Sequence, residues 1–218
     1  MIEFSHQCPP RLIFGWGSAA RLGQEAARLG RKPLVVTGRS LRTAGRLEPL
    51  LDDMRGQGLA PLLFEGVPAE PGLEVLQACM DAARAADSVI AIGGGSVLDI
   101  AKGAAALAPT VGTPGPSARD YFSGTAVPES GRPILAVPTT SGTGSEMTWV
   151  CVLVDAGARR KASIRGPAMM PAVALVDPEL TVSCPRSVTA WSGMDAFVQA
   201  VEAYVSKGAT PFTDALAL

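Results

Sequence analysis

The chain reads as an α/β protein with a parallel sheet and crossover helices, and three features of its amino-acid sequence predict this. Short apolar runs of strand length recur at 33–37, 62–64, 88–92 and 134–138, and several are separated by stretches whose apolar residues fall at helical spacing. The run Ser88–Ile92 passes through three glycines, Gly93, Gly94 and Gly95, straight into the helical pattern Val97, Leu98, Ile100, Ala101, which is strand, tight turn and helix in fifteen residues. Of the 218 residues, 47% are hydrophobic and 18% charged, enough apolar material to bury a sizeable core in one large or two modest domains. Strands alternating with helices of roughly 10 to 15 residues signal crossover connections.

Taken in order, Phe14-Gly15-Trp16-Gly17-Ser18 reads as a loop after a short strand, with Ser18 able to cap a helix that runs through Leu29 and ends at Gly30. Pro33–Thr37 is a buried strand ending at Gly38. The spacing of Leu47, Leu50, Leu51 and Met54 predicts a helix over 44–55, followed by a strand at Leu62–Phe64 and a helix over 73–86. Residues 109–133, rich in Pro, Gly, Ser and Thr, read as a long loop of little regular structure. Ile134–Pro138 is another buried strand, and Val150–Asp155 and Ala172–Asp177 are further strands with Arg159-Arg160-Lys161 at a hairpin between them. Beyond Pro185 the pattern turns wholly helical, over 188–206 and again from Pro211. This places a boundary near residue 185, with an α/β domain over 1–185 and the beginning of a helical domain over 186–218.

Several function classes are disfavoured. A net charge of −1 with no basic run argues against nucleic acid as a partner. Met1–Pro10 lacks the apolar core of a leader, and no segment reaches about 18 uninterrupted apolar residues, so neither export nor membrane insertion is expected and a cytoplasmic location is. Cys8, Cys79, Cys151 and Cys184 are scattered with no CxxC pair, which predicts reduced, mostly buried thiols and no zinc knot.

Two stretches carry chemistry. Glycines at the 93–95 turn let the backbone approach a ligand closely, and the helix start beyond them offers unpaired N–H groups to a phosphate or pyrophosphate, with Ser96 placed to cap the helix or meet the anion. The spaced dinucleotide fingerprint is absent, so an ordinary strand-to-helix turn stays open as the alternative. Directly after Pro138, seven of the eight residues of Thr139-Thr140-Ser141-Gly142-Thr143-Gly144-Ser145-Glu146 are Ser, Thr or Gly, a dense array of hydroxyls at the carboxyl end of a strand. Ligands of open α/β sheets sit at that edge. Arg159-Arg160-Lys161, by itself, is a solvated hairpin tip.

Together GGGSVLDIAK (93–102), PTTSGTGSEMT (138–148) and GMDAFVQAVEAYVS (193–206), with the FGWGS turn and ALVDPEL (174–180), closely resemble the iron-containing, group III alcohol dehydrogenases. The resemblance implies the dehydroquinate synthase-like architecture: a dinucleotide-binding α/β domain and an all-helical domain, with metal and substrate in the cleft between them. It implies hydride transfer between NAD(P) and a small alcohol or aldehyde. Gly94, Gly95 and Ser96 would bind the coenzyme pyrophosphate, Asp99 would support their loop, Thr139, Thr140 and Thr148 would line the coenzyme, Lys161 would contact it, and Leu180 would pack near its adenine or ribose. Glu146 would cap or brace the loop. Apart from the resemblance, apolar faces expected to be exposed at Val198, Val201 and Val205 predict aggregation or a homodimer built on that surface.

Two departures from the family pattern stand out. Where many relatives carry an Asp that binds the adenosine ribose, this chain has Gly38 followed by Arg39, with Arg42 nearby, which favours a 2′-phosphate and hence NADP alongside or above NAD. The family's divalent metal, iron or zinc, is held by an Asp and a His one helical turn apart plus two further His. Asp195 fits, but Gln199 stands at the His position, the two further ligand positions fall beyond residue 218, and His6 is far from any metal spacing, so as written this metal site is incomplete. No residue is assigned as the catalytic acid or base. The competing readings are a non-catalytic nucleotide-binding remnant, a polyol-phosphate dehydrogenase and a dehydroquinate synthase-like lyase.

Overall fold

The computed structural model describes residues 4–218; Met1–Glu3, the first part of the segment read for a leader, lie outside the described residues. In chain order the elements are β1 (Leu12–Phe14), a 3₁₀ turn and α1 (Leu22–Ala27), β2 (Pro33–Thr37), α2 (Arg39–Thr43), α3 (Leu47–Gly56), β3 (Leu62–Glu65), α4 (Leu73–Ala83), β4 (Ser88–Gly93) and α5 (Gly95–Leu107). There follow α6 (Ala118–Phe122), β5 (Ile134–Pro138), β6 (Val150–Asp155), β7 (Arg160–Arg165), β8 (Val173–Val176), α7 (Arg186–Val205) and α8 (Pro211–Ala217).

Six strands form one parallel sheet in the order β1-β8-β5-β4-β2-β3, while β6 and β7 pair as a separate antiparallel hairpin. The α/β expectation is met for the same reason that predicted it: β2, β4 and β5 are buried along their whole lengths, as strands covered on both faces must be. Leu22, Leu47, Leu51 and Met54 from α1 and α3 pack one face, and Leu76, Met80, Leu98 and Ile100 from α4 and α5 pack the other. From β2 the chain moves outward to β3 and then returns to the far side of β2 for β4, so the loops after β2 and β4 diverge. A divergence of this kind opens a crevice at the carboxyl edge. Register brings Gly93 of β4 beside Pro138 of β5, so the glycine turn and the hydroxyl-rich loop leave the sheet side by side.

The structure moves several local boundaries. Ser18 does not cap a helix: its hydroxyl donates to Val176 O (3.3 Å), and the N–H groups of Gly17 and Ala19 are held by the carboxylate of Asp177 (3.0 and 2.8 Å), the residue just after β8, which pairs directly with β1. The helix expected from residue 44 begins at Leu47. Residues 44–46 close α2 instead, with Gly45 in the left-handed region (φ 68°) where a helix end needs it. The helix after β3 stops at Ala83 and not at residue 86. Within the long 109–133 loop lies α6, started by a capping box in which Ser117 and Asp120 bond each other's backbone N–H groups. Arg160 and Lys161 belong to β7, a strand the sequence pattern did not reveal. All four cysteines are free, but only Cys79 and Cys151 are buried; Cys8 is exposed and Cys184 partly so. Among the described residues, no helix is long and apolar enough to cross a membrane.

Candidate functional site

A cavity of about 930 Å³ opens at the carboxyl edge of the sheet, where β2, β4 and β5 end. Its floor is the start of α5, Gly94 to Val97. Gly94 takes the cap position of this helix with extended backbone, so Ser96 is the second helical residue and not the cap. That leaves the first N–H groups of α5 without side-chain partners, and they face the cavity with the positive end of a thirteen-residue helix. The glycines are needed for close packing: a Cβ on Gly94 would lie 3.3 Å from Thr140 Oγ1, and one on Gly95 would lie 2.7 Å from Thr143 Cγ2. A turn built this tightly leaves its amides, and not side chains, as the surface offered to a ligand, which is how proteins cradle a phosphate.

The second wall is the hydroxyl-rich loop, contributing Thr140, Thr143, Ser145 and Thr148, continued by Val150, Val152 and Val154 of β6. Two residues of α5 tie this wall in place. Asp99 accepts from Ser145 Oγ (2.5 Å) and from the Val152 N–H (2.9 Å). The Lys102 ammonium, fully buried, donates to Ser145 O (2.9 Å), Thr148 Oγ1 (3.2 Å) and Thr148 O (3.4 Å), and lies 3.1 Å from Asp99 Oδ1. Burial pulls the Lys102 pKa down, and the Asp99 carboxylate opposes that shift. Cys151, behind the same wall, is inert as a nucleophile because burial pushes its thiol pKa far up.

The third side holds the loop after β2, with Gly38, Arg39 and Ser40, and the loop after β3, Val67 to Pro71. The two nearby cations differ in availability. Arg42 is engaged by both Glu65 oxygens (2.8 and 2.9 Å) and by Glu48 (3.0 Å), whereas Arg39 lines the cavity. Lys161 also lines it, from β7, and pairs with Glu70 across the mouth at 3.0 Å. The fourth side is one stripe of α7: Val188, Trp191, Ser192, Asp195 and Gln199.

Of the residues picked from sequence, Gly38, Gly94, Gly95, Ser96, Asp99, Thr140, Thr148, Lys161, Asp195 and Gln199 thus meet around one cavity. Two do not. Thr139 uses its N–H to bond Gly93 O (3.0 Å), continuing the β4–β5 ladder, and does not line the cavity. Leu180 packs against the core between the sheet and α1 and α3. The bracing expected of Glu146 falls to its neighbour Ser145, and among the described residues the Glu146 side chain makes no hydrogen bond. Sequence reasoning gave no role to Lys102, Thr143 or Trp191. The signal for Lys102 was present, since it lies three residues after Asp99 and so on the same helix face.

At the metal position the two residues that this chain supplies engage each other. Asp195 and Gln199 bond each other, Gln199 Nε2 donating to Asp195 Oδ2 at 2.9 Å, and no group of three or more His, Cys, Asp or Glu able to hold a metal occurs among the described residues. His6 packs on the Phe212 ring with centroids 4.8 Å apart. A carboxylate and an amide do not make an iron or zinc site.

Comparison with known proteins agrees with this geometry. Residues 9–178 match the family described as iron-containing alcohol dehydrogenase. The sulfoacetaldehyde reductase of Bilophila wadsworthia is 37% identical over all of this chain and 56% of its own length. Long-chain-alcohol dehydrogenase 1 of Geobacillus thermodenitrificans is 41% identical over 96% of this chain and 53% of its own. Among solved structures, sulfoacetaldehyde reductase from Bifidobacterium kashiwanohense in complex with NAD+ superposes with a TM-score of 0.89 at 36% identity, covering 100% of this chain and 57% of that one. The chain therefore spans about half the length of the curated relatives it matches.

Proposed function

The chain belongs to the iron-containing alcohol dehydrogenase family, and on that premise we propose that the protein transfers a hydride between NAD(P) and a small alcohol or aldehyde. One observation carries the reading: the glycine-opened end of α5 and the hydroxyl-rich loop leave neighbouring strands, pack side by side and together line a cavity of a volume suited to a dinucleotide. The nicotinamide, when bound, supplies the hydride donor or acceptor.

The chain's own residues bind and orient. The amides of Gly94 and Gly95 and the start of α5 receive the pyrophosphate, and Ser96 adds a hydroxyl there. Thr140 and Thr148 flank it from the hydroxyl-rich loop, which Asp99 holds through Ser145 and Lys102 through Ser145 and Thr148. Lys161 reaches the coenzyme by exchanging Glu70 for it. At Gly38 no carboxylate opposes a 2′-phosphate, and Arg39 supplies the cation, so NADP(H) is accepted alongside or above NAD(H). No step is assigned to a metal, because Asp195 and Gln199 satisfy each other.

The wider organisation follows the same premise. Residues 1–185 form the dinucleotide-binding domain and 186–218 begin a helical one. The apolar residues exposed on α7, Val198, Val201 and Val205 among them, support a homodimer, which light scattering would detect. A cytoplasmic location is part of this proposal.

Calorimetric titration with NADH and NADPH tests the reading. Both are expected to bind, NADPH at least as tightly, and Arg39→Ala is expected to weaken NADPH by about tenfold, near 1.4 kcal/mol, with little change for NADH. Binding of neither coenzyme would overturn it.

A further inference from the structure

The Lys102 ammonium is an unexpected group to find with no solvent exposure. A buried ion pair is often replaceable by well-packed apolar residues of similar volume without loss of stability, so stability alone does not account for a charge here. Its contacts show what it does. Three segments form the cavity's inner walls, namely the start of α5, the loop 139–149 and β6, and they are joined by few backbone bonds: Thr139 to Gly93, and Met147 and Thr148 within their own turn. Asp99 and Lys102, one turn apart on α5, supply the missing connections. The carboxylate holds Ser145 Oγ and the Val152 N–H, and the ammonium holds Ser145 O and both oxygens of Thr148. Lys102 itself is not in the cavity wall, whereas Ser145, Thr148 and Val152 are.

We propose that Lys102 is a positioning residue for coenzyme binding: it does not touch the coenzyme, and it sets the distance between the glycine-opened end of α5 and the wall that carries Thr148. The inference rests on the coenzyme reading above. Its logic is geometric. An ammonium donates in three directions, and here its acceptors come from Asp99 on its own helix and from Ser145 and Thr148 on the loop, so the loop is held at two points. A methionine of similar length would fill the space but donate nothing, so Ser145 O and Thr148 O would lose their tie to α5 and the Thr148 hydroxyl would keep only its bond to Ser145 O (3.3 Å) within its own turn.

The test compares coenzyme affinity with stability. Lys102→Met, assayed by calorimetry with NADH and NADPH at a temperature where it is fully folded, is expected to bind both at least tenfold more weakly than wild type. Backbone amide exchange over 143–152 is expected to speed up in the same variant. Met54→Ala serves as the control, because Met54 is buried in the core on the other face of the sheet. It is expected to lower the melting temperature while affinity and exchange at 143–152 stay at wild-type levels. If Lys102→Met does not fold, the double variant Asp99→Asn/Lys102→Met removes both charges together and is read against Asp99→Asn alone, because Asp99 itself holds Ser145 and Val152; a further loss of affinity in the double variant supports the inference and equal affinities overturn it. A folded variant that binds like wild type overturns the inference and leaves the coenzyme reading intact. So does a Met54→Ala variant that loses affinity in proportion to its melting temperature, since stability alone would then explain the effect. A wild-type protein that binds neither coenzyme removes the premise and the inference with it.

Discussion

Helices α5 and α7 border the same cavity and are held in opposite ways. Eleven of the thirteen residues of α5 are buried, Val97 to Leu107 without a break, whereas none of the twenty residues of α7 is. Helix α5 lies between the sheet and α4, so its rotation and height are fixed by side chains such as Leu98 and Ile100. Helix α7 meets the first domain along one stripe, and there the contact is close: Gly142 of the hydroxyl-rich loop lies directly against the Ser192 carbonyl, with no room for a Cβ. Phe197, Tyr204 and Val205 stay in solvent. The difference separates two kinds of site wall. Within residues 4–218 one has its geometry set by core packing, and the other rests on the hydroxyl-rich loop through a single stripe of side chains.

The contrast can be broken most forcefully by truncating each helix. Leu98→Ala, fully buried on α5, is expected to lower unfolding free energy by about 2–5 kcal/mol, whereas Phe197→Ala, 64% exposed on α7, should stay within about 0.5 kcal/mol of wild type in denaturant titrations. Equal losses would show that α7 is packed like α5. Next in size is Gly95→Ala. The added Cβ meets Thr143, whose hydroxyl already accepts the Ser145 N–H, so the loop must shift. Coenzyme affinity measured by calorimetry should fall more than tenfold, about 1.4 kcal/mol, with the melting temperature changing little.

On the α7 side, Gln199→His sharpens the comparison by altering only the cavity stripe. An imidazole one turn from the Asp195 carboxylate is expected to bind zinc or nickel at least tenfold more tightly than wild type in a metal titration. A wild type that already binds as tightly would contradict the reading of Asp195 and Gln199 as a self-satisfied pair. The smallest effect concerns pH. Burial holds the Lys102 pKa in the folded state below its unfolded value of 10.5. Within that window the unfolded chain carries more protons, so the contribution of Lys102 to stability falls as pH drops through the folded pKa and is complete above 10.5. Melting curves of wild type relative to Lys102→Met should therefore converge in favour of wild type as pH rises toward 10.5; a pH-independent difference would argue that Lys102 titrates normally.

Much of this was legible in advance, for reasons specific to each part. The strands β2, β4 and β5 were readable because burial on both faces demands continuous apolar runs, and the turn 93–95 because three successive glycines have few other uses. Strand β7 was hidden: Arg160-Lys161-Ala162-Ser163-Ile164-Arg165 is mostly solvent-facing, so it carries no apolar period, and its pairing is dictated by β6. The role given to Ser18 belonged to Asp177, 159 residues later, and no local pattern announces a partner at that separation. Leu180 and Thr139 were placed on the coenzyme by resemblance; neither lines the cavity, Leu180 packing on the core and the Thr139 N–H extending the β4–β5 ladder.

Local chemistry in the chain was enough to determine the alternation of strands and helices, the phosphate-cradling turn, the run of hydroxyls and the absence of a histidine at position 199, since each depends on residues adjacent in sequence. Tertiary structure alone decided that Arg39 and not Arg42 faces the cavity, that Asp195 and Gln199 bond each other, and that Lys102 stands behind the wall that Thr148 presents. Those outcomes turn on which acceptors the sheet order and crossovers bring within about 3 Å of a donor, and hydrogen-bond energies fall off too steeply with distance for sequence spacing to stand in for it.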